Sequence, residues 1–586
     1  MSEFREGRIP IEYTKERPRV FEGDKNWELV RDFALRYGEL RTGVDTKDIS
    51  STLDLIQRIE GAVGTRVGEV LPEVLKKQGV REGETAAFLE AARSRDFSGV
   101  DFTDKEKVTA ALGLATIAER ARTRAMIEVL NGLDERGLAV MGMTPDQRDV
   151  VTGLLKVAES GNPEYLRFKA RSMMGEVHPE RPVDAIREEN RIAEGLKRVK
   201  EMLIEKGPEK VFGEAGNAFV EYLTQYEAGY RPMSKEGRPL AKPAKEGRYT
   251  AFREAFEAFV REHPDFPLIL FPRGDEYVAD ASGLKLGRDP EIRILWQSPE
   301  LQEEARELVG VRERFSAYLE EQYGDLLEKG DIERIKKNQP LIADDLGYFG
   351  IGMQVRFEAQ ELEGTSIIFR NVQVGNRVST RETMRKLFGD EAHPVIDSPE
   401  LIDIANAEMM DHEWGHQVHQ PETKGAKKLG EAESGINEMK SDLLSSASLH
   451  AALGERSEEL YGEQGRELLN MYMVGYSADL AKSISPDGEE RPYWVSAVAA
   501  LNRLVEAGVI VRGPEGVIID KSRLRGNLSE EVFEPQAREL LKIYKAAENE
   551  PKGELDGIRT QARQLGEPTL HPLVQELIEK LKSESE

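Results

Sequence analysis

Apolar side chains recur every three to four positions through most of residues 1–265. Leu53, Ile56, Ile59 and Val63 form one such stripe, and Ala110, Leu114, Ile117 and Ala118 another. That spacing predicts amphipathic helices whose stripes face a core. The stretch from Arg231 to Gly247, rich in Pro, Gly and Lys, reads as a surface loop. After it, Tyr249, Phe252, Phe256 and Phe259 predict a helix with an aromatic face.

The period changes further on. Pro267–Phe271 and Ile292–Trp296 are short apolar runs of strand length, and from Ile351 the pattern alternates. Ile351, Met353, Val355 and Phe357 point one way, with polar residues or Gly between them. A turn at Glu363-Gly364 leads into Thr365–Phe369, a strand expected to run on to Val372 and Val374. A second hairpin is predicted from Val509–Val511, the turn Gly513–Gly516, and Val517–Ile519. The expected fold class is mainly α with small β parts (α+β). Its expected divisions are a helical region 1–265, a mixed region 266–395 with a small β-core, a helical region 396–550 carrying the 509–520 hairpin, and a helical segment 551–586.

Composition narrows the chemistry. The 586 residues include 82 Lys and Arg against 108 Asp and Glu, a net charge of −26. Such a charge repels phosphate backbones, so nucleic acid is not an expected partner. No run approaches the length of a membrane span and the amino terminus does not read as a signal peptide, so the expected location is cytoplasmic. With no cysteine, disulfides, thiolate metal sites and cysteine nucleophiles are excluded. Any metal must be held by His, Asp or Glu. The chain has no Walker-type phosphate loop, no dinucleotide fingerprint and no internal repeat.

Three of the eight histidines, His412, His416 and His419, fall within eight residues. Asp411-His412-Glu413-Trp414-Gly415-His416 is an HExxH motif. Ser398-Pro399-Glu400 is a helix start, and Pro421 is the expected stop. On that helix His412 and His416 lie one turn apart on one face, the spacing that binds one tetrahedral zinc. Glu413, rotated by about 100°, reaches a metal-bound water rather than the metal. A third ligand is required. The HExxHxxGxxH class is excluded, since it wants Gly at 419 and His at 422, where this chain has His419 and Glu422.

Downstream, Glu433–Asp442 reads as a second helix, with Glu438 and Asp442 on one polar face extended by Ser434 and Ser445. Two readings compete for that pair. One is a zinc ligand with a partner for a ligating histidine's free N–H, and the other is a solvated acidic face. His419, expected one further turn along the first helix, reads either as a residue of the cleft wall or beside the metal's ligands, or as a surface residue. His450 reads as structural.

His412-Glu413-x-x-His416 together with Asn437-Glu438-x-x-Ser441-Asp442 resembles the gluzincin peptidases, whose thermolysin-like members carry Asn-Glu-x-x-Ser-Asp. The wider layout, over roughly residues 345–550, resembles the dipeptidyl-peptidase III family, in particular its shorter bacterial and archaeal relatives. It includes the strand entering Phe369-Arg370-Asn371-Val372, the two motif helices, helices around Tyr472–Ser483 and before Gly508, and the 509–520 hairpin.

The resemblance implies two lobes around a cleft, one zinc ion held by His412, His416 and Glu438, Glu413 as general base, and Asp442 orienting His412. It also implies a peptide substrate added as a strand to a β edge, with Ile351–Val374 the candidate edge. The chain departs from the family at two places. The Asn-x-Pro-Asn segment is missing, and Pro492-Tyr493-Trp494 stands where relatives tend to show a histidine. Tyr493 reads either as a proton donor to the oxyanion or as an ordinary surface or core tyrosine. The implied function is a zinc-dependent peptidase acting on oligopeptides. The alternatives are a non-catalytic, zinc-stabilised peptide-binding protein and a hydrolase of a non-peptide amide.

Overall fold

The computed structural model describes residues 25–38, 42–79, 105–159, 183–230, 242–273, 291–350, 359–362, 364–389, 396, 400–421, 423–461, 463–484, 491–514, 516–551 and 555–583. The long helices of the amino-terminal half are α1 (Lys25–Gly38), α2 (Thr52–Lys77), α3 (Lys105–Gly132), α4 (Pro145–Glu159), α5 (Val183–Lys206), α6 (Gly216–Gly229) and α7 (Lys242–Glu262). Their stripes are buried as the period requires: Ile56, Ile59 and Val63 of α2, and Ala110, Leu114, Ile117 and Ala118 of α3, all lie in one core. Residues 242–247, expected to be loop, form the first turns of α7, while 231–241 lie outside the described residues. The aromatic face of α7 packs as a ring cluster. Phe252 stacks on Tyr226 at 4.6 Å, Phe259 stacks on Tyr222 at 4.6 Å, and Phe256 meets Phe271 edge-on at 5.2 Å.

A five-stranded sheet follows, built from β1 (Leu268–Arg273), β2 (Glu291–Trp296), β3 (Gln339–Gly350), β4 (Ala359–Leu362) and β5 (Thr365–Phe369) in the order β1-β2-β3-β5-β4. β3 and β5 are parallel and the other pairs antiparallel. β4 is therefore an edge, turned back onto β5 through Gly364 at φ +91°. The alternating run Ile351–Phe357 lies outside the described residues.

The sheet is a wall with a core on each side. Leu341, Ala343, Ile367, Phe369 and Leu362 belong to the amino-terminal core, whereas Ile342, Ile368 and Ala359 belong to a second core of later residues. Burial on both faces explains why Ile367, Ile368 and Phe369 follow one another in β5 without polar alternation.

The strand expected to continue to Val372 and Val374 instead stops at Phe369, and both valines lie in a helix. This helix, Arg370–Phe388, comes after Pro299–Tyr323 in the chain; we label Pro299–Tyr323 α8 and Arg370–Phe388 α9. The reason is long-range. The Arg370 guanidinium grips both carboxylate oxygens of Asp344, at 3.1 and 2.5 Å, and Asn371 Oδ1 accepts from the Asp345 backbone N–H at 2.9 Å. The first two residues of α9 are thus tied to the middle of β3. The neighbouring Asp345 carboxylate pairs with Arg293 of β2 at 2.5 Å, and its carbonyl accepts from Arg122 of α3 at 2.7 Å. This buried polar knot joins the sheet to the helices on either side.

The remaining long helices are α10 (Glu400–Gly415), α11 (Asn437–Tyr461), α12 (Glu463–Ser483), α13 (Arg491–Glu506) and α14 (Glu534–Asn549), with a hairpin of β6 (Ile510–Gly513) and β7 (Gly516–Ile519) between the last two. The architecture is mainly helical with small sheets. Among the described residues, no helix is long and apolar enough to cross a membrane.

Candidate metal centre

α10 and α11 lie side by side, and a glycine lets them approach. A Cβ added to Gly415 would stand 2.9 Å from Cα and 3.3 Å from the carbonyl oxygen of Ser441. Any side chain at 415 would therefore wedge the two helices apart. Polar ties hold the same interface deeper in. The Ser448 hydroxyl donates to Asp411 at 2.9 Å, and burial pushes the Asp411 carboxyl well above its usual range. Ser445 and Tyr472 hydroxyls both donate to Glu408, at 3.4 and 3.3 Å. On the opposite flank Trp414 is buried, its Nε1 donating to Asn338 at 3.0 Å.

The close approach brings three sequence-predicted residues together. His412 Nε2 lies 3.2 Å from His416 Nε2 and 3.3 Å from Glu438 Oε2, and His416 Nε2 lies 3.4 Å from the same oxygen. The three atoms form a nearly equilateral triangle. Two ligands placed tetrahedrally at zinc–ligand distances of about 2.0–2.1 Å stand about 3.3 Å apart, so the triangle matches one face of a zinc tetrahedron. Glu438 Oε2 is itself buried and makes no well-directed hydrogen bond. Two nitrogens and a carboxylate oxygen are the donor set that zinc takes. The residues therefore fit the metal, and among the described residues the group has these three members.

Asp442, one turn beyond Glu438, places Oδ1 2.6 Å from His412 Nδ1. That contact assigns the proton to Nδ1 and aims the Nε2 lone pair at the centre of the triangle. In the metal-free protein, burial opposes a charge on His412, but the carboxylates of Asp442 and Glu438 outweigh it and hold the imidazole well above its ordinary range. Glu438 is half-buried, and although burial opposes its charge, the two imidazoles hold its carboxyl well below the usual carboxylate range. Replacing Asp442 by Ala is expected to weaken zinc binding about 10–100-fold, the typical cost of losing such an outer partner. Competition with a chromogenic chelator measures this, and unchanged affinity would remove Asp442 from the site.

Glu413 is half-buried on α10, one residue on from His412. Tyr493, in the first turn of α13, lays its ring 6.2 Å from the His412 ring at an interplanar angle of 27°. The structure thus brings the tyrosine alongside the triangle.

Two local expectations change. The start Ser398-Pro399 lies outside the described residues, but α10 ends at Gly415 and does not run on to Pro421. His416 N still bonds back to His412 O at 3.3 Å, and the chain then turns, with His419 left-handed at φ +49°. His419 is not a surface residue. It is fully buried, with Nε2 3.0 Å from the Leu326 carbonyl and Nδ1 3.4 Å from Glu328, and it stacks on Tyr544 at 5.0 Å. Glu433–Asp442 is also not one helix. A short turn of helix, Glu431–Ser434, precedes a break at Gly435-Ile436, and α11 begins only at Asn437. His450 Nε2 lies 2.9 Å from Asn470 Oδ1.

Gly415 carries the close approach of the two helices without a sequence expectation. A glycine inside a helix that lacks a turn signature was the available clue to it.

No protein-family model and no curated protein matches the chain. Solved structures similar to it include two dipeptidyl-peptidases III. Dipeptidyl-peptidase III from Corallococcus sp. strain EGB has a TM-score of 0.47 and 13% identity, covering 94% of this chain and 95% of that one. DPP III from Caldithrix abyssi has a TM-score of 0.48 and 13% identity, covering 86% of this chain and 93% of that one.

Proposed function

We propose that the chain is a zinc-dependent peptidase of the gluzincin kind that hydrolyses peptide bonds of oligopeptides. The observation that carries this reading is the triangle of donor atoms on His412, His416 and Glu438, with sides of 3.2–3.4 Å. Bound there, zinc supplies Lewis acidity, polarising a scissile carbonyl and easing deprotonation of water. The chain's own residues do the rest. Asp442 keeps a proton on His412 Nδ1, so the imidazole presents its lone pair at Nε2. Glu413 takes a proton from the attacking water at a carboxylate oxygen and delivers it to the departing amine nitrogen. Tyr493 donates its hydroxyl proton as a hydrogen bond to the developing oxyanion. The β4 edge offers main-chain groups that accept an extended peptide as an added strand.

The intact Glu413 supports hydrolysis over the alternative of a non-catalytic zinc-stabilised binder, because a purely structural metal has no use for a base. A mixed peptide library separates the readings. Zinc-replete protein is expected to cleave it, chelated protein to lose cleavage, and added zinc to restore it. Cleavage that survives complete metal removal would overturn the proposal, as would a zinc-loaded protein that leaves the library intact. The positions of the cuts distinguish trimming from a chain end from internal cleavage.

A further inference from the structure

The three donor atoms come from two chain segments, and their spacing depends on how those segments are held together. On one side the His412–Asp442 contact does this. On the other, a buried lysine spans the gap. Lys440 is 1% exposed, and its Nζ donates to the Val418 carbonyl at 2.5 Å and to Asn437 Oδ1 at 2.8 Å. Val418 lies in the turn immediately after His416, and Asn437 opens α11 directly before Glu438.

The turn is pinned from behind as well. His419 follows Val418 in the left-handed region and is bonded to Leu326 and Glu328, while the Tyr544 ring lies under both His419 and the Lys440 ammonium, which is 5.3 Å from its centroid. The left-handed residue costs about 1–2 kcal/mol at a non-glycine position, which its surroundings must offset. The Val418 carbonyl lies three residues past the end of α10, and Lys440 satisfies it from inside the protein.

We infer that Lys440 is a positioning residue for the metal centre: its ammonium ties the turn that carries His416 to the first turn of α11, and so keeps His416 Nε2 and Glu438 Oε2 at ligand spacing. It touches neither metal nor substrate. Lysine suits the task because its donors are compact and rotatable, whereas the planar fork of arginine demands a different arrangement of acceptors. Methionine fills a similar volume and makes neither bond.

The inference rests on the zinc reading above, and the experiment separates the two. Full-length wild type, Lys440→Met and Asn437→Ala are purified metal-free. Each is titrated with zinc against a chelator, loaded with cobalt(II) for its visible spectrum, and melted without metal. Lys440→Met is expected to bind zinc about 10–100-fold more weakly and to show an altered cobalt band, with kcat reduced and KM for peptide nearly unchanged. Asn437→Ala, which removes one of the two bonds, is expected to lose about threefold or more in zinc affinity.

A merely structural lysine would lower the melting temperature of the metal-free protein and leave zinc affinity and the cobalt spectrum of the folded protein unchanged; that result overturns the inference. If Lys440→Met does not fold, wild-type affinity in Asn437→Ala overturns it equally. A wild type that binds no zinc would instead overturn the zinc reading itself.

Discussion

Replacing Glu413 by Gln is expected to lower kcat for peptide hydrolysis by about 10²–10⁴-fold, the usual share of a positioned general base. The amide keeps the volume of the carboxylate at a half-buried position of α10, so the packing of α10 on α11 is preserved. It cannot take a proton from water, so the loss falls on the transition state. KM should therefore change little, and kcat and kcat/KM should fall together. His412, His416 and Glu438 are untouched, so zinc affinity and melting temperature should match the wild type. Initial rates on a peptide cut by the wild type, with metal content measured on the same samples, provide the check. A variant that folds, holds zinc and retains wild-type kcat would remove Glu413 from the chemistry.

The second large effect lies away from the metal. Arg370→Met is expected to cost about 3–5 kcal/mol of stability, because it strands the Asp344 carboxylate where no water reaches it. The pair is not a simple gain for the native protein. Burial raises the Asp344 carboxyl despite the guanidinium, and burial pushes the nearby Glu304 carboxyl up to about 7 although Arg370 opposes it. Removing the cation leaves both carboxyl groups with less to offset their burial. The double variant Arg370→Met/Asp344→Leu should recover much of the loss, since an apolar pair of suitable volume avoids the desolvation cost. Urea unfolding of the single and double variants measures both outcomes. A single-variant loss below about 1 kcal/mol would mean that the charge is paired elsewhere.

What could be read along the chain was read from local periods. Helical stripes at 52–77 and 105–132, the apolar runs of β1 and β2, and the 510–519 hairpin each carry their own signal within a dozen residues. β3 was missed for a reason that can be named. Gln339–Gly350 carries two adjacent aspartates and no alternation, because Asp344 is bound by Arg370 at the start of α9 and Asp345 by Arg293 of the neighbouring strand β2. Nothing within the strand announces those partners. The end of β5 was misjudged for the same reason, since Arg370 and Asn371 leave the strand to reach β3.

The candidate site divides in the same way. His412, Glu413 and His416 are a local pattern, legible because one helical turn separates the histidines. Glu438 and Asp442 were ambiguous from spacing, as a ligand with its partner or as a solvated face, and the contact of 2.6 Å with His412 Nδ1 lies across thirty residues of chain. His419 shows the limit from the other direction. Its spacing placed it on the helix, but Gly415 against Ser441 and the pocket of Leu326, Glu328 and Tyr544 end the helix early and turn the ring inward.

The order of residues was enough for the helical character, the absence of cysteine and the HExxH pair of histidines, because these depend on composition and on neighbours within a turn or two. The distances among those donors, the double-sided burial of the sheet and the clamp at Lys440 came only with the folded chain. They arise where segments remote in sequence pack against one another, and steric fit and desolvation, rather than local periodicity, select their geometry.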